Sequence, residues 1–236
     1  MKIMKPLFSP SLMCMDFLHA SEEIEILNAG CDMYHADIMD GHFCKNITLS
    51  PSIIQSLRPA LKKPVDAHLM VTDPGDYLEV LAKAGTDFIS VHAETINVNA
   101  FRTLRRIREL GCKTGVVLNP GSPLSWVEQY ADQIDLLTIM TVDVGYAGQP
   151  FIPTMLKKIE QAYDLRESMG LHYLIQIDGA CGPNTYGALN AAGADAYVMG
   201  SSGLYRKGMT LAESCSRMRE DFRVAVEEYK LQKRVA

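Results

Sequence analysis

Histidines and aspartates interrupt several apolar segments of this chain at spacings that suit metal binding. His35 and Asp37 lie two positions apart in the run Tyr34–Met39, so on a strand both side chains point to one face. An unpaired imidazole and carboxylate in such a run would carry a large desolvation cost. A mutual hydrogen bond or a bound metal ion would offset that cost. His68 and Asp178 stand at equivalent depths in two other apolar runs.

A lone histidine on a strand is more often an ordinary core or surface residue than a ligand. Two imidazoles and two carboxylates at the ends of three predicted strands nevertheless favour a site. Nitrogen and oxygen donors in this combination suit a divalent ion such as Zn, Mn, Fe or Co.

Glycine-rich segments follow three of the later apolar runs and favour an anion site. They are residues 143–151, 178–182 and 200–203. Backbone N–H groups of the last loops of an α/β barrel often hold phosphate. Segment 143–151 is long enough to be a mobile lid or a substrate clamp. One such loop would only indicate a turn, but three at the same face favour anion binding.

A repeated local pattern indicates which elements position these residues. A small residue and a glycine precede a hydrophobic run at Gly30, Gly85 and Gly193, and weaker copies with a larger first residue lie at Gly111 and Gly170. Each copy is typical of a helix that ends in a left-handed glycine and leads into a strand. The intervals fit a period near 27 residues, and a unit of that size predicts about eight copies.

The predicted strands are nearly continuous apolar runs, as expected for strands covered on both faces. They are Pro6–Pro10, Met33–Met39, Val65–Met70, Phe88–His92, Thr114–Asn119, Leu136–Thr141, Tyr173–Asp178 and Ala196–Gly200. Helical patterns lie at Tyr77–Ala84, Ala100–Leu110, Met155–Ser168 and Leu211–Tyr229. This alternation predicts an α/β fold, a (β/α)8 TIM barrel in a single domain over residues 1–236. An open doubly wound sheet is the alternative, but no Gly-x-Gly-x-x-Gly follows the first strand.

In a barrel, active sites form where the strands end at the C-terminal face. Further polar residues are predicted there, among them Ser11, His92, Glu94 and Asn119. No lysine lies at a predicted strand end, which argues against a Schiff-base aldolase. Ser201 lacks the Gly-x-Ser-x-Gly context of a hydrolase nucleophile.

Charge and composition exclude other classes of protein. The 236 residues carry a net charge of −5, which argues against nucleic acid as a partner. No apolar run reaches the ~18 residues needed to span a membrane, and no signal-peptide core follows Met1–Lys5. The six cysteines are scattered, so we expect free thiols in a reducing cytoplasm.

Several motifs in the correct order resemble those of the ribulose-phosphate 3-epimerase family over nearly the whole chain. They are HADIMDGHF at 35–43, DAHLMV at 66–71, LNP at 118–120, MTVDVGYAGQPF at 140–151 and IDG at 177–179. The resemblance implies a barrel that epimerises C3 of a ketose phosphate and contains one divalent metal ion per subunit (Zn, Mn, Co, Fe or Mg). It also implies a homo-oligomer, either a dimer or a hexamer.

Within the family, four segments resemble the D-allulose 6-phosphate branch most. They are SPSLMCMD at 9–16, NITLSP at 46–51, AGQPF at 147–151 and DGAC at 178–181. Cys44-Lys45 and Val144 depart from the usual pattern, outside the metal set. The implied reaction is conversion of D-allulose 6-phosphate to D-fructose 6-phosphate. The alternatives are conversion of D-ribulose 5-phosphate to D-xylulose 5-phosphate and, less favoured, a non-catalytic phosphate-binding barrel.

The resemblance also implies a role for each site residue. His35, Asp37, His68 and Asp178 would hold the metal, and Asp37 and Asp178 would be the catalytic acid/base pair. The implied substrate contacts are Ser11, His68, Asp178, the loop residues Gly145, Tyr146, Ala147 and Gly148, and the phosphate-end residues Gly179, Ala180, Gly200, Ser201 and Ser202. Three methionines, Met39, Met70 and Met140, would line the pocket near the reacting carbons.

Inversion at C3 sets two chemical demands. The proton next to a carbonyl is weakly acidic, so the enediolate formed by its removal needs stabilisation by a divalent ion. Inversion also needs two proton carriers on opposite faces, one that removes a proton and one that supplies it.

Overall fold

Eight apolar runs form strands in the computed structural model, which describes residues 5–235. The strands are β1 (Leu7–Pro10), β2 (Tyr34–Met39), β3 (Val65–Met70), β4 (Phe88–His92), β5 (Lys113–Leu118), β6 (Leu136–Met140), β7 (Leu174–Asp178) and β8 (Ala196–Met199). Each predicted strand is present, with its ends within one residue of the predicted bounds. The predicted absence of a signal-peptide core concerns the residues after Met1–Lys5, and residues 1–4 of that segment lie outside the described residues.

All strand pairs are parallel, and the strand order is β1-β8-β7-β6-β5-β4-β3-β2. β1 and β2 close the ring through a bridge between Ser11 and His35 and through backbone hydrogen bonds from Asp32 and Met33 to the Phe8 carbonyl. A closed ring of parallel strands that alternate with helices confirms the predicted (β/α)8 barrel.

The helices are α1 (Ala20–Gly30), α2 (Pro51–Leu57), α3 (Leu78–Ala84), α4 (Ala93–Ile96), α5 (Ala100–Glu109), α6 (Met155–Met169), α7 (Tyr186–Ala192) and α8 (Leu211–Val235). Between β5 and β6 the described chain forms 3₁₀ turns, Leu124–Trp126 and Glu128–Gln133, in place of an α-helix. None of the helices in residues 5–235 combines the length and the apolar character needed to cross a membrane.

The glycines of the repeated pattern end their helices in two different ways. Gly85 and Gly193 follow α3 and α7 with φ of 88° and 106°, as predicted for left-handed caps. The same prediction is wrong for Gly30, which is the last residue of α1 and has no positive φ. There the missing side chain matters, because a Cβ atom at Gly30 would collide with Cys215 Sγ on α8.

The barrel interior changes from apolar to polar along its axis. Its lower end is filled by an apolar cluster of Met33, Phe88 and Leu136, with Leu7 and Leu174 against it. Above this cluster lies a buried polar layer of Ser9, His35, Asp66, Ser90, Thr138 and Gln176. The larger hydrophobic core lies outside the ring, between strands and helices. The side chains that point inward near the C-terminal ends of the strands are therefore packed against a filled barrel interior.

Candidate metal centre and active site

Strand periodicity brings the four predicted metal ligands together at the C-terminal end of the barrel. His35 and Asp37 lie two positions apart on β2 and therefore on the same face of the strand. His68 lies on β3 beside Asp37, and Asp178 is the last residue of β7. One nitrogen or oxygen atom from each residue lies within 4.8 Å of the corresponding atom of every other. The structure therefore confirms that these four side chains converge.

The spacing between the donor atoms suits a small divalent ion. His35 Nε2 lies 3.2 Å from His68 Nδ1 and 3.3 Å from Asp37 Oδ1. His68 Nδ1 lies 3.4 Å from Asp37 Oδ1 and from Asp178 Oδ2, and His35 Nε2 lies 3.6 Å from the latter. Ligands 2.0–2.2 Å from a tetrahedral ion would be about 3.3–3.6 Å apart. The residues present thus fit a divalent ion such as zinc.

A buried carboxylate beneath the cluster orients His35. Asp66 Oδ2 accepts a hydrogen bond from His35 Nδ1 at 3.0 Å and a second from Gln176 Nε2 at 3.0 Å. Asp66 Oδ1 accepts from Ser90 Oγ at 2.5 Å. Because Nδ1 of His35 donates to Asp66, its Nε2 faces the other ligand atoms. Such outer partners fix the tautomer and the ring orientation of metal-binding histidines.

The charges of the cluster stabilise one another. Burial would lower the pKa of His35 and His68, but the facing carboxylates outweigh it and raise both. Burial would raise the pKa of Asp37 and Asp178, but the facing imidazoles hold both below the usual range. Two anionic carboxylates in a buried site attract a cation, and a metal ion that binds there would displace the imidazole protons.

A cavity opens directly above this cluster, and most of the predicted site residues line it. Asp37 and Asp178 form part of its floor, and Ser11 donates a 2.6 Å hydrogen bond to Asp37 Oδ2. The predicted residues on its wall are Met39, Met70, Met140, Gly145, Tyr146, Ala147, Gly148, Gly179, Ala180, Gly200, Ser201 and Ser202. His35 and His68 are fully buried beneath the floor, where they reach the carboxylates but not the cavity surface.

The loop after β6 covers one side of the cavity and is held by the loop after β2. Tyr146 Oη donates to the Lys45 carbonyl at 2.6 Å, and Asn46 Nδ2 donates to the Gly145 carbonyl at 2.7 Å. Gln149 Nε2 caps the Asp143 carbonyl within the loop at 2.5 Å. These contacts close one side of the pocket with segments about one hundred residues apart in the chain.

The loops after β7 and β8 also line the cavity, and they contain backbone N–H groups without an acceptor. Gly179 and Ala180 both have positive φ, 113° and 49°, and Ala180 is the one non-glycine residue with this conformation in residues 5–235. The N–H groups of Ala180 and Ser202 donate to no acceptor within the described part of the chain. Unpaired backbone N–H groups in turns are the donors that anion sites in proteins commonly use.

Comparison with known proteins agrees with this geometry. Residues 7–204 match the model of the ribulose-phosphate 3 epimerase family. The chain belongs to the ribulose-phosphate 3-epimerase family. Membership confirms the predicted enzyme class, an epimerase and therefore an isomerase. The closeness to the D-allulose 6-phosphate branch stays a prediction.

Three curated relatives show the extent of the similarity. The ribulose-phosphate 3-epimerase of Synechocystis sp. is 44% identical, over 82% of this chain and 85% of its own. The Bacillus subtilis enzyme of the same name is 40% identical, over 82% and 90%. The Escherichia coli K12 enzyme is 37% identical, over 83% and 88%. The family relationship therefore extends over most of both chains.

Solved structures with lower identity share only the fold. A structure of KGPDC from Streptococcus mutans superposes with a TM-score of 0.70 at 15% identity, and the match covers 95% of this chain and 98% of the other. A 3-hexulose-6-phosphate synthase superposes with a TM-score of 0.69 at 15% identity, over 91% and 99%. Both comparisons support the barrel architecture and carry no information about activity.

Several residues that support the four ligands, directly or through one intermediate residue, have no role among the predictions from sequence. Asp66 and Gln176 stand within or beside the recognised motifs, but their bond to each other joins residues 110 positions apart. The two-residue spacing of Asp66 and His68 on β3 was an available signal, because both side chains must point into the barrel. His92 and Glu94 were recognised as polar strand-end residues without a function.

Proposed function

We propose that this protein inverts C3 of a ketose phosphate by proton exchange between Asp37 and Asp178. The observation that supports this proposal is the convergence of the two carboxylates, from β2 and β7, with two histidines beneath one cavity. A non-catalytic phosphate-binding barrel would not require two acids at the floor of its pocket.

The two carboxylates suit opposite proton transfers because they approach the cavity from different sides of the barrel. β2 and β7 are separated by β1 and β8 in the ring. Asp37 is almost completely buried and held by Ser11, whereas the Asp178 side chain is 15% exposed. One acid would remove the C3 proton and the other would supply a proton to the opposite face, with roles exchanged in the reverse direction.

The metal centre belongs to the same proposal. His35, Asp37, His68 and Asp178 would hold one divalent ion, which would supply Lewis-acid stabilisation of the negative charge that develops on the substrate oxygens. The histidines present neutral nitrogen atoms, and the carboxylates neutralise the charge of the ion. Asp66 keeps His35 oriented during the reaction.

Phosphate binding would fix the position of C3. The free N–H groups of Ala180 and Ser202 lie at the end of the cavity formed by the loops after β7 and β8. Binding energy from the non-reacting phosphate would orient the carbon chain above the carboxylates. We expect the loop at Gly145–Gly148 to complete the enclosure.

For the substrate, we propose D-ribulose 5-phosphate and D-xylulose 5-phosphate, because the curated relatives at 37–44% identity are named ribulose-phosphate 3-epimerases. The second candidate pair is D-allulose 6-phosphate and D-fructose 6-phosphate, which is favoured by the four sequence segments at 9–16, 46–51, 147–151 and 178–181. The expected homo-oligomer and cytoplasmic location remain part of the proposal, and the location rests on the scattered spacing of the six cysteines.

One experiment tests both the reaction and the substrate. Each ketose phosphate is incubated with the metal-loaded protein in deuterium oxide, and deuterium at C3 is followed by NMR. We expect incorporation at C3 together with formation of the epimer. The candidate with the higher kcat/KM identifies the preferred substrate. Absence of incorporation from both sugar phosphates would contradict the proposed epimerisation.

A further inference from the structure

A hydrogen-bonded chain extends from the metal cluster toward the protein surface. His68 Nε2 lies 2.9 Å from Nε2 of His92 at the end of β4, and His92 Nδ1 lies 3.1 Å from Glu94 Oε2. Both imidazoles are fully buried, and their rings stack with centroids 5.0 Å apart. Glu94 Oε1 accepts from the Asn119 N–H at 3.0 Å and from Ser122 Oγ.

Glu94, the last residue of this hydrogen-bonded series, determines the direction of each hydrogen bond in it. An ionised carboxylate only accepts, so His92 Nδ1 carries the hydrogen that faces Glu94. Neutral His92 then presents a lone pair at Nε2, and His68 must donate from its own Nε2. When a metal ion displaces the second proton of His68, the lone pair is therefore on Nδ1, the atom that faces Asp37 and Asp178.

We propose that His92 and Glu94 are positioning residues for the metal centre, because their hydrogen bonds hold His68 in the tautomer that offers Nδ1 to the ion. This inference rests on the metal centre of the proposed function. It assigns the two histidine ligands separate supports: Asp66 orients His35 directly, and Glu94 orients His68 through His92. Phe43 packs on the imidazole of His92, with ring centroids 4.6 Å apart, and limits rotation of the His92 ring.

The test measures the affinity for Zn²⁺ by competition with a chromophoric chelator, in the absence of substrate. H92F keeps a planar ring but removes both nitrogen atoms, so we expect binding about 10–100-fold weaker than in the wild type. H92Q places an amide oxygen near the position of Nε2, where it can accept from His68, and should recover most of the lost affinity. Wild-type affinity in H92F, or no recovery in H92Q, would overturn the inference.

A second pair of variants covers the case in which H92F does not fold. In E94Q the single amide oxygen faces two donors, from Asn119 and Ser122, so the amide NH₂ faces His92 and reverses the direction of the chain. Imidazole ¹⁵N NMR should show His92 protonated at Nδ1 in the wild type and at Nε2 in E94Q, with weaker Zn²⁺ binding in the variant. The matched control S122A removes the other side-chain partner of Glu94, and its tautomers and affinity should stay unchanged.

The outcomes separate this inference from the proposed function. A wild-type protein that binds no Zn²⁺ would contradict the metal centre itself. A wild-type protein that binds Zn²⁺, with E94Q equal to it in both affinity and tautomer, would leave the metal centre in place. The role of His92 and Glu94 alone would then be refuted.

Discussion

Replacement of one catalytic carboxylate at a time should separate the two halves of the proposed reaction. In Asp37→Asn, the amide oxygen can still accept the hydrogen bond from Ser11, so the local structure should survive. In Asp178→Asn, the side chain at the end of β7 lines the cavity, and the amide is nearly the same size as the carboxylate that it replaces. Each variant loses one proton carrier and retains the other.

The expected loss of epimerisation is large because the pocket offers no close substitute. Removal of a positioned general acid or base costs about 10²–10⁴-fold in rate, or roughly 3–5 kcal/mol in activation free energy. Within the described lining of the cavity, Asp143 is the remaining carboxylate, and it lies on the loop that covers the pocket. We therefore expect losses near 10⁴-fold for both variants.

Exchange of the C3 proton with solvent provides the sharper readout. The carboxylate that remains faces one side of C3, so each variant should exchange the proton of one epimer only, and the two variants should act on opposite epimers. Proton NMR in deuterium oxide measures this exchange for each epimer separately. Zn²⁺ content is measured in parallel, since both aspartates belong to the ligand set. The exposed Asp132→Asn variant serves as the control and should epimerise normally.

Two results would refute the two-carboxylate scheme. If both variants exchanged the proton of the same epimer, a single base would serve both faces. If either metal-loaded variant epimerised at nearly the wild-type rate, the missing carboxylate would have no part in proton transfer.

Three further predictions concern stability and metal content. Gly115→Ala should lower the free energy of unfolding by about 3–6 kcal/mol in a urea titration. The new Cβ would lie 2.8 Å from Ser90 Cα and would disturb the Ser90–Asp66 hydrogen bond. A loss below about 1 kcal/mol would contradict this packing argument. Chelation should abolish activity, and adding Zn²⁺ back should restore it. If Zn²⁺ was present at about a thousand times its Kd, its removal should also lower Tm by roughly 10 °C. An unchanged Tm and activity in a verified metal-free sample would contradict the metal centre. Although burial opposes it, N–H donors including that of Thr72 hold the pKa of Asp40 well below its usual range. Its stabilisation is therefore present above about pH 4 and declines as the pH falls further, so the stability advantage over Asp40→Asn should shrink from about pH 5 to pH 2 in chemical denaturation. A constant difference over that range would contradict the assignment.

The strands and the four clustered ligands could be predicted because the relevant information is local in the chain. A strand directs residues two positions apart to the same face, so His35 and Asp37 had to share a direction once β2 was recognised. The parallel order of the barrel then places the ends of all strands at one face. Periodicity and topology together bring β2, β3 and β7 to a common site without knowledge of any contact.

The elements that were mispredicted or missed depend on contacts between distant segments. At Gly30 the contact that requires glycine is with Cys215 on α8, a helix that begins about 180 residues later. The contact between Tyr146 and Lys45 likewise joins two separate loops. The polar layer around Asp66 takes donors from β2, β4 and β7, and no single segment of sequence shows that they meet.

The polar layer also explains how a buried site can be stable and can hold its side chains in one fixed orientation. An isolated carboxylate at the position of Asp66 would carry a large desolvation cost, but three donors, from His35, Ser90 and Gln176, offset it. Because each donor belongs to a different strand, a shift of any one of these strands would break a hydrogen bond to a buried charge. The arrangement that compensates the burial of Asp66 therefore also fixes the ring of His35, and this is why Gly115→Ala should weaken metal binding as well as the fold.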